Sequence, residues 1–269
     1  MVDLGRRHIM AILNVTPDSF YAGSRTSDSV QIRARIERVV DEGATIIDIG
    51  GYSSRPNAED IPMEQEWERV NRALTLLKEM NVETTISIDT FRAEVARRAA
   101  NEYGELIIND ITAGDGDAKM VETVAELKLP YVAMHTRGTP QTMQSLTEYE
   151  DVVGEVFEYL AQRAKYLNDS GIEQVILDPG FGFAKTIEQN YQLLRGLDRF
   201  SELGYPLLVG VSRKSMIYRL LDIDPKDSLA GTTALHWEAL QRGAKTLRVH
   251  DVAEAVQVLK IFEEYEKYD

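Results

Sequence analysis

The chain has 269 residues, 43% of them hydrophobic, with a formal net charge of −14 and no cysteine. That charge argues against a nucleic-acid surface and against binding to anionic membranes, and it requires a local cluster of basic residues for any anionic ligand. The missing cysteines exclude disulfides, thiolate metal sites and a thiol nucleophile. The start, MVDLGRRHIMAIL, lacks a signal-peptide h-region of the usual length, and no apolar run approaches the roughly 18 residues that span a bilayer. A cytoplasmic protein is expected.

Short apolar runs alternate with longer amphipathic ones along the chain. His8 to Leu13 reads as the first strand and ends at Asn14; the polar loop NVTPDSFYAGSRTSD then leads into a helix from about Ser29 to Asp41. Thr45 to Ile49 is the second strand, followed by GGYSSRPNAEDIP and a helix opened by Pro62 and Glu64 that reaches about Met80. Trp67, Val70, Leu74 and Leu77 give that helix an apolar face near three-to-four spacing. Thr84 to Ile88 ends at Asp89 before a helix over Phe91–Asn101, and Leu106 to Ile108 ends at Asn109-Asp110 before one over Ala118–Leu127. Tyr131 to Met134 ends at His135, with a helix over Tyr149–Asn168. Val175 to Asp178 precedes a helix around Ile187–Phe200. Pro206 to Val211 ends in Ser212-Arg213-Lys214, followed by helical segments Ser215–Leu221 and Ser228–Arg242. Thr246 to Val249 ends at His250-Asp251, and a last helix runs to the charged tail EEYEKYD.

Alternating strands and helices imply a parallel sheet, and eight such units in about 250 residues imply a closed (β/α)₈ barrel. No linker divides the chain, so residues 1–269 are expected to form one α/β domain. The alternative is an open doubly wound sheet with a single crevice.

A barrel places its active site at the C-terminal ends of its strands. Seven of the eight predicted ends carry hydrogen-bonding or charged residues: Asn14, Asp89, Asn109, His135, Asp178, Lys214, and Arg248 with His250. The second strand ends in Gly50-Gly51 but soon brings Ser53, Ser54 and Arg55. Helix capping explains a few of these, yet Lys214, Arg248 and His250 are poor N-caps, and one shared pocket accounts for them better. In VILDPGFGFAKT (Val175–Thr186) a carboxylate closes a buried strand and Pro179, Gly180 and Gly182 break the chain; an unpaired Asp178 there would cost several kcal/mol. The competing reading is that Asp178 caps the next helix. Gly180-x-Gly182 is no dinucleotide fingerprint, because Lys185 stands where the third glycine belongs.

Asp89, Asn109, Asp178 and Lys214 suit the edge of a polar heterocycle: a carboxylate accepts two N–H bonds from a 2-amino-pyrimidinone, and a lysine donates to its carbonyl or ring nitrogen. Arg55, Arg248, His250 and the Ser54 hydroxyl suit an anion, and the Asn14 carbonyl oxygen suits a hard cation such as Mg²⁺. There is no P-loop, which argues against nucleotide triphosphate hydrolysis, and no supportable Ser-His-Asp arrangement.

NVTPDSF (Asn14–Phe20), SIDT (Ser87–Thr90), IIND (Ile107–Asp110), LDPGFGF (Leu177–Phe183), SRKS (Ser212–Ser215) and RVHD (Arg248–Asp251) follow in this order, one block per strand end, over nearly the whole chain. Together they resemble the signature blocks of the dihydropteroate synthases of the folate pathway. The resemblance implies a (β/α)₈ barrel that joins a dihydropterin-methyl diphosphate to 4-aminobenzoate. It implies that Asp89, Asn109, Asp178 and Lys214 hold the pterin edge, and that Arg248 lies over the pterin and reaches the diphosphate. Ser54, Arg55, His250 and an Asn14–Mg²⁺ site would complete the diphosphate pocket, while Ser54, Arg55, Pro56, Phe183, Lys214 and Ser215 would frame 4-aminobenzoate. Catalytic roles fall on Asp89, Lys214 and Arg248, and a homodimer through the late helices is implied.

The chain departs from the family pattern at Tyr21-Ala22-Gly23-Ser24 in place of SDGG, at Tyr52 in place of an acidic residue, at Ser54 in place of Thr, and at His135-Thr136-Arg137-Gly138 in place of HMQG. Two other readings follow: a methyltetrahydrofolate-binding methyltransferase on a similar barrel, and a non-catalytic pterin-binding paralogue. Asn14, Lys214, Arg248 and His250 argue against the methyltransferase, which needs no diphosphate site. His135, His8 and His236 read as structural, and Trp67 and Trp237 as packing. Asp48 reads either as an orienter behind the site or as a cap. Asp18, Arg25 and Arg137 lie in loops that could close over the site or stay solvated.

Overall fold

A computed structural model describes residue 3 and residues 5–16, 25–53 and 60–268, with residues 25–28 given by backbone alone. Eight parallel strands close into a barrel in sequence order. They are β1 His8–Asn14, β2 Ile46–Gly50, β3 Thr85–Asp89, β4 Ile107–Asp110, β5 Tyr131–Met134, β6 Val175–Asp178, β7 Leu207–Val209 and β8 Ala244–Val249. The ring is shut by β1 against β8, with Met10 opposite Arg248 and Ala11 opposite Val249. Closure removes the open-sheet alternative.

Helices follow the strands: α1 Arg25–Asp41, α2 Met63–Glu79, α3 Ala93–Tyr103, α4 Met120–Leu127, α5 Val152–Asp169, α6 Ile187–Arg195, α7 Ser215–Leu221, α8 Leu229–Gln241 and α9 Val252–Tyr265. The predicted elements are all present, and their ends move for local reasons. Helix α5 starts at Val152 because the Asp151 carboxylate caps it, accepting from the Val153 N–H. The helix expected over Ile187–Phe200 stops at Arg195, and Leu197–Leu203 continues as a 3₁₀ turn after Gly196. Strand β7 has three residues, and its register against β8 slips between Leu207 and Leu208.

Strand periodicity divides the core in two. Outward-facing Ile9, Ala11, Ile47, Ile49, Ile86, Ile88, Leu177 and Leu247 pack with the helices in one continuous layer. Inward-facing Met10, Ile46, Ile107, Val132, Ile176 and Leu208 fill the barrel as a separate, fully buried plug. Moving two residues further along gives the next inward positions, which are the polar Asp48, Asn109, Asp178 and, for β8, Arg248, together with Ile12, Met134 and Gly210. An apolar floor therefore carries a polar upper layer. Trp67 and Trp237 pack half-buried against the outer layer, as expected from their helical positions. His8 is buried beside Thr45 and the Asp3 carbonyl, and His236 is buried on α8; both are structural positions. No helix among the described residues is long and apolar enough to cross a membrane.

Candidate active site

The upper layer centres on Arg248. Its Nε donates to Asp48 Oδ2 at 2.6 Å and its Nη2 to Asp89 Oδ2 at 2.7 Å, and Asp48 Oδ2 also accepts from Asn109 Nδ2 at 3.0 Å. One arginine thus links β2, β3 and β8, with β4 joined through Asn109. Asp48 is fully buried, and its Oδ2 is engaged by Arg248 and Asn109 with no helix N-terminus on it among the described residues, an arrangement that favours the orienter reading over the cap. Because Asn109 spends its amide N–H on a carboxylate, Oδ1 is the group it has left to accept a ligand's hydrogen. Burial opposes the Arg248 charge, but Asp48 and Asp89 hold its pKa above the ordinary guanidinium value. Burial likewise raises the Asp89 pKa; Arg248 pulls against it, and the nearby carboxylates Asp48, Glu66 and Asp110 add to the rise.

Asp178 stands across the mouth at the end of β6. Its Oδ1 accepts the Gly180 N–H at 2.8 Å, closing a local turn. The cap of α6 is Thr186 in a reciprocal capping box with Gln189, so the capping reading of Asp178 is wrong. Burial raises the Asp178 pKa against the pull of Lys214, the Gly180 N–H and Arg248. Lys214 donates to the Phe181 carbonyl oxygen, and its ammonium sits 4.9 Å from the centre of the Phe183 ring. Burial lowers the Lys214 pKa to about 8, with Asp178 resisting. Ser215 follows directly as the first, half-buried residue of α7.

His250 is fixed from two sides. Its backbone N–H donates to Ser212 Oγ at 3.1 Å, its ring Nδ1 lies 3.1 Å from the same oxygen, and Arg35 of α1 holds its carbonyl at 2.7 Å. Ser212 already accepts once, so its hydroxyl hydrogen can go to Nδ1, leaving Nε2–H as a donor for an anion. Burial, then Arg248, lowers the His250 pKa to about 4, so near neutrality the ring offers a hydrogen bond and no charge. Asn14 lies over Gly50, where a Cβ would come 3.0 Å from Asn14 Oδ1 and 3.8 Å from Asp89 Oδ2. Among the described residues no three His, Cys, Asp or Glu side chains form a metal-binding group. A lone amide oxygen fits a Mg²⁺ that keeps its waters and arrives with phosphate oxygens.

Asn14, Asp89, Asn109, Asp178, Lys214, Arg248 and His250 are thus all placed on the C-terminal rim, with Phe183 and Ser215 beside Lys214. Ser54, Arg55 and Pro56 lie outside the described residues, as do Asp18, the Tyr21–Ser24 departure and the Arg25 side chain. Arg137 pairs with Glu155 at 2.6 Å and lies 3.7 Å from the centre of the Tyr149 ring, an engagement with α5 and its approach. Tyr52 meets the Phe91 ring edge-on at 5.1 Å, with the Arg92 guanidinium 5.3 Å from its own centre. Sequence reading gave no role to Ser212, Arg35 or Lys185. Ser212 stands in SRKS beside chosen residues, but Arg35 sits on an outer helix face and no local pattern distinguishes it.

A family model described as pterin binding enzyme matches residues 10–250. A dihydropteroate synthase from Synechocystis sp. is 43% identical, covering 97% of this chain and 91% of that protein. The structure of Xanthomonas albilineans dihydropteroate synthase with 4-aminobenzoic acid superposes with a TM-score of 0.89 at 40% identity, covering 98% of this chain and 94% of that one. A second structure of the X. albilineans enzyme, in complex with 7,8-dihydropteroate, gives 0.87 at 38% identity, covering 98% and 95%. With this agreement along nearly the whole chain, it belongs to the pterin-binding enzymes and, among them, to the dihydropteroate synthases.

Proposed function

We propose that this barrel joins (7,8-dihydropterin-6-yl)methyl diphosphate to 4-aminobenzoate, forming 7,8-dihydropteroate and releasing diphosphate. The observation that carries it is the convergence of Asp178, Asn109 and Lys214 with the Arg248 fork at one mouth. The pterin's amino-pyrimidinone edge is read by Asp178 and Asn109, with Lys214 donating to a ring acceptor. Arg248 presents a planar guanidinium to the ring, and Arg248 with His250 meets the diphosphate, joined by Ser54 and Arg55. Phe183, Ser215, Pro56 and Ser54 frame 4-aminobenzoate.

The step is dissociative. The methylene C–O bond breaks, its electron pair leaves with diphosphate, and the electron-rich dihydropterin spreads the positive charge left at the methylene. The 4-aminobenzoate nitrogen then forms the new C–N bond and gives up a proton to solvent. Arg248 and the His250 Nε2–H stabilise the departing charge, and Asp89 faces the developing cation. A Mg²⁺ held by Asn14 and the diphosphate would neutralise leaving-group charge. An aniline nitrogen needs no strong base, so the reaction asks the site for charge stabilisation more than for proton abstraction.

The proposal extends to one functional domain over residues 1–269, to the cytoplasm and to a homodimer through the late helices. Exposed Leu220 and Leu221 on α7 and Ile261 and Tyr265 on α9 flank α8 and supply apolar surface for that dimer. Light scattering at micromolar protein should give twice the chain mass; a monomer would remove the dimer.

Diphosphate release from the pterin substrate should depend on 4-aminobenzoate, yield dihydropteroate and fall sharply with a Mg²⁺ chelator. Pterin binding with no product would overturn the reaction, and chelator-insensitive rates would remove the metal. Asp48→Asn keeps shape but loses the charge that orients Arg248; kcat/KM should drop about tenfold to a hundredfold while the fold is retained. Near-normal turnover would show that Arg248 orients itself. Pterin affinity should also decline as pH rises past about 8, because the Lys214 ammonium loses its proton there. In Lys214→Arg, whose charge persists, affinity should be weaker but flat over that range, and an unchanged alkaline decline would assign it to another group.

A further inference from the structure

Beneath the rim lies a buried lysine with no place in the reaction. Lys185 is 5% exposed, yet its Nζ donates to the carbonyl oxygens of Gly180 at 2.9 Å and Phe183 at 3.0 Å and lies 3.0 Å from His135 Nδ1. An ammonium has three N–H donors, and three acceptors surround it. Burial, then Lys185 and Arg137, lowers the His135 pKa to about 2, so the ring is neutral and can accept. Its face is fixed by Tyr159, edge-on at 5.0 Å.

The same two segments are joined through their backbones. The His135 N–H donates to the Asp178 carbonyl at 2.9 Å. Gly180 has φ 74°, and a Cβ there would collide with the His135 carbonyl oxygen. The end of β5 and the turn after β6 therefore form one unit, with the Lys185 ammonium between them.

We infer that Lys185, with His135 as its acceptor, is a positioning residue that sets the Phe181–Phe183 turn as the wall of the 4-aminobenzoate subsite. The inference rests on the proposed role of Phe183 in that subsite. The turn passes through left-handed conformations at Gly180, Gly182 and Ala184, of which Ala184 is intrinsically strained. By drawing the Gly180 and Phe183 carbonyls onto one nitrogen, Lys185 fixes the span of the turn. Phe183 also faces Lys214, whose ammonium is anchored on the Phe181 carbonyl. Asp178 touches the turn as well, through the Gly180 N–H, but its backbone is held within β6 by pairing with β5. Losing the clamp should therefore disturb the 4-aminobenzoate wall before the pterin edge. Burial lowers the Lys185 pKa to about 7, so a packed methionine would be the easier way to fill this space if filling were all that is required.

Steady-state kinetics on the full chain separate the two substrates. In Lys185→Met, KM for 4-aminobenzoate should rise about tenfold, with kcat and the pterin dissociation constant within about threefold of the parent. A shifted Tm with an unchanged 4-aminobenzoate KM, or equal losses for both substrates, would overturn the positioning role. Phe183→Ala tests the underlying reading separately. If it leaves the 4-aminobenzoate KM unchanged, the wall assignment fails and the inference falls with it. If it raises that KM while Lys185→Met does not, the wall stands and the role of Lys185 is refuted. Should Lys185→Met not fold, His135→Leu removes one acceptor and should show the same selective rise, smaller in size; no rise would overturn the inference.

Discussion

Arg248 reaches Asp48 through its Nε–H and Asp89 through an Nη2–H, and the rim of the barrel is arranged around that fork. Buried ion pairs are poor sources of stability, because desolvating the charges offsets most of their attraction. They are strong sources of geometry: each partner has few places to go once the others are fixed. Here the partners come from β2, β3 and β8, and Asp48 extends the arrangement to Asn109 on β4. The rim is consequently a framework in which the acidic and amide groups of four strands are already oriented when a ligand arrives.

The charge balance of the rim contrasts with that of the molecule. A chain with a net charge of −14 repels anions at long range, so an anionic substrate depends on cations placed at short range. Arg248 and Lys214 supply them where burial strengthens their fields, while the low pKa of His250 makes it a directional donor. Burial lowers the Lys214 pKa to about 8, with Arg248 adding to the fall and Asp178 opposing it, so the ammonium stays charged near neutrality with little margin.

Anchoring recurs one layer out. Glu66 of α2, fully buried, accepts from Thr90 at 2.6 Å and from Arg92 at 2.8 Å, and Arg92 also holds the Ile61 carbonyl at 2.7 Å. That ties the segment before α2 to the end of β3. Arg213 makes a two-pronged pair with Asp251 at 2.8 and 2.7 Å, tying the β7 rim to the β8 rim on either side of Lys214 and His250. The side chains proposed to meet a ligand are thus held by neighbours outside that set.

Eight apolar runs separated by amphipathic segments pointed to the barrel, because strand and helix periods are written locally, and the pairing of β1 with β8 then closed the sheet against the open alternative. The same local record put Asn14, Asp89, Asn109, Asp178, Lys214, Arg248 and His250 at strand ends, and the order of their blocks identified the family. What only the tertiary structure decided is which of these side chains grip one another. Asp48 could be cap or orienter until β8 was seen to bring Arg248 against it, 200 positions away in sequence. Lys185 looked like a defect in a glycine pattern until β5 delivered His135 to its ammonium. Pairings of this kind depend on strand register and on side-chain direction across the barrel, and neither leaves a periodic trace in the chain.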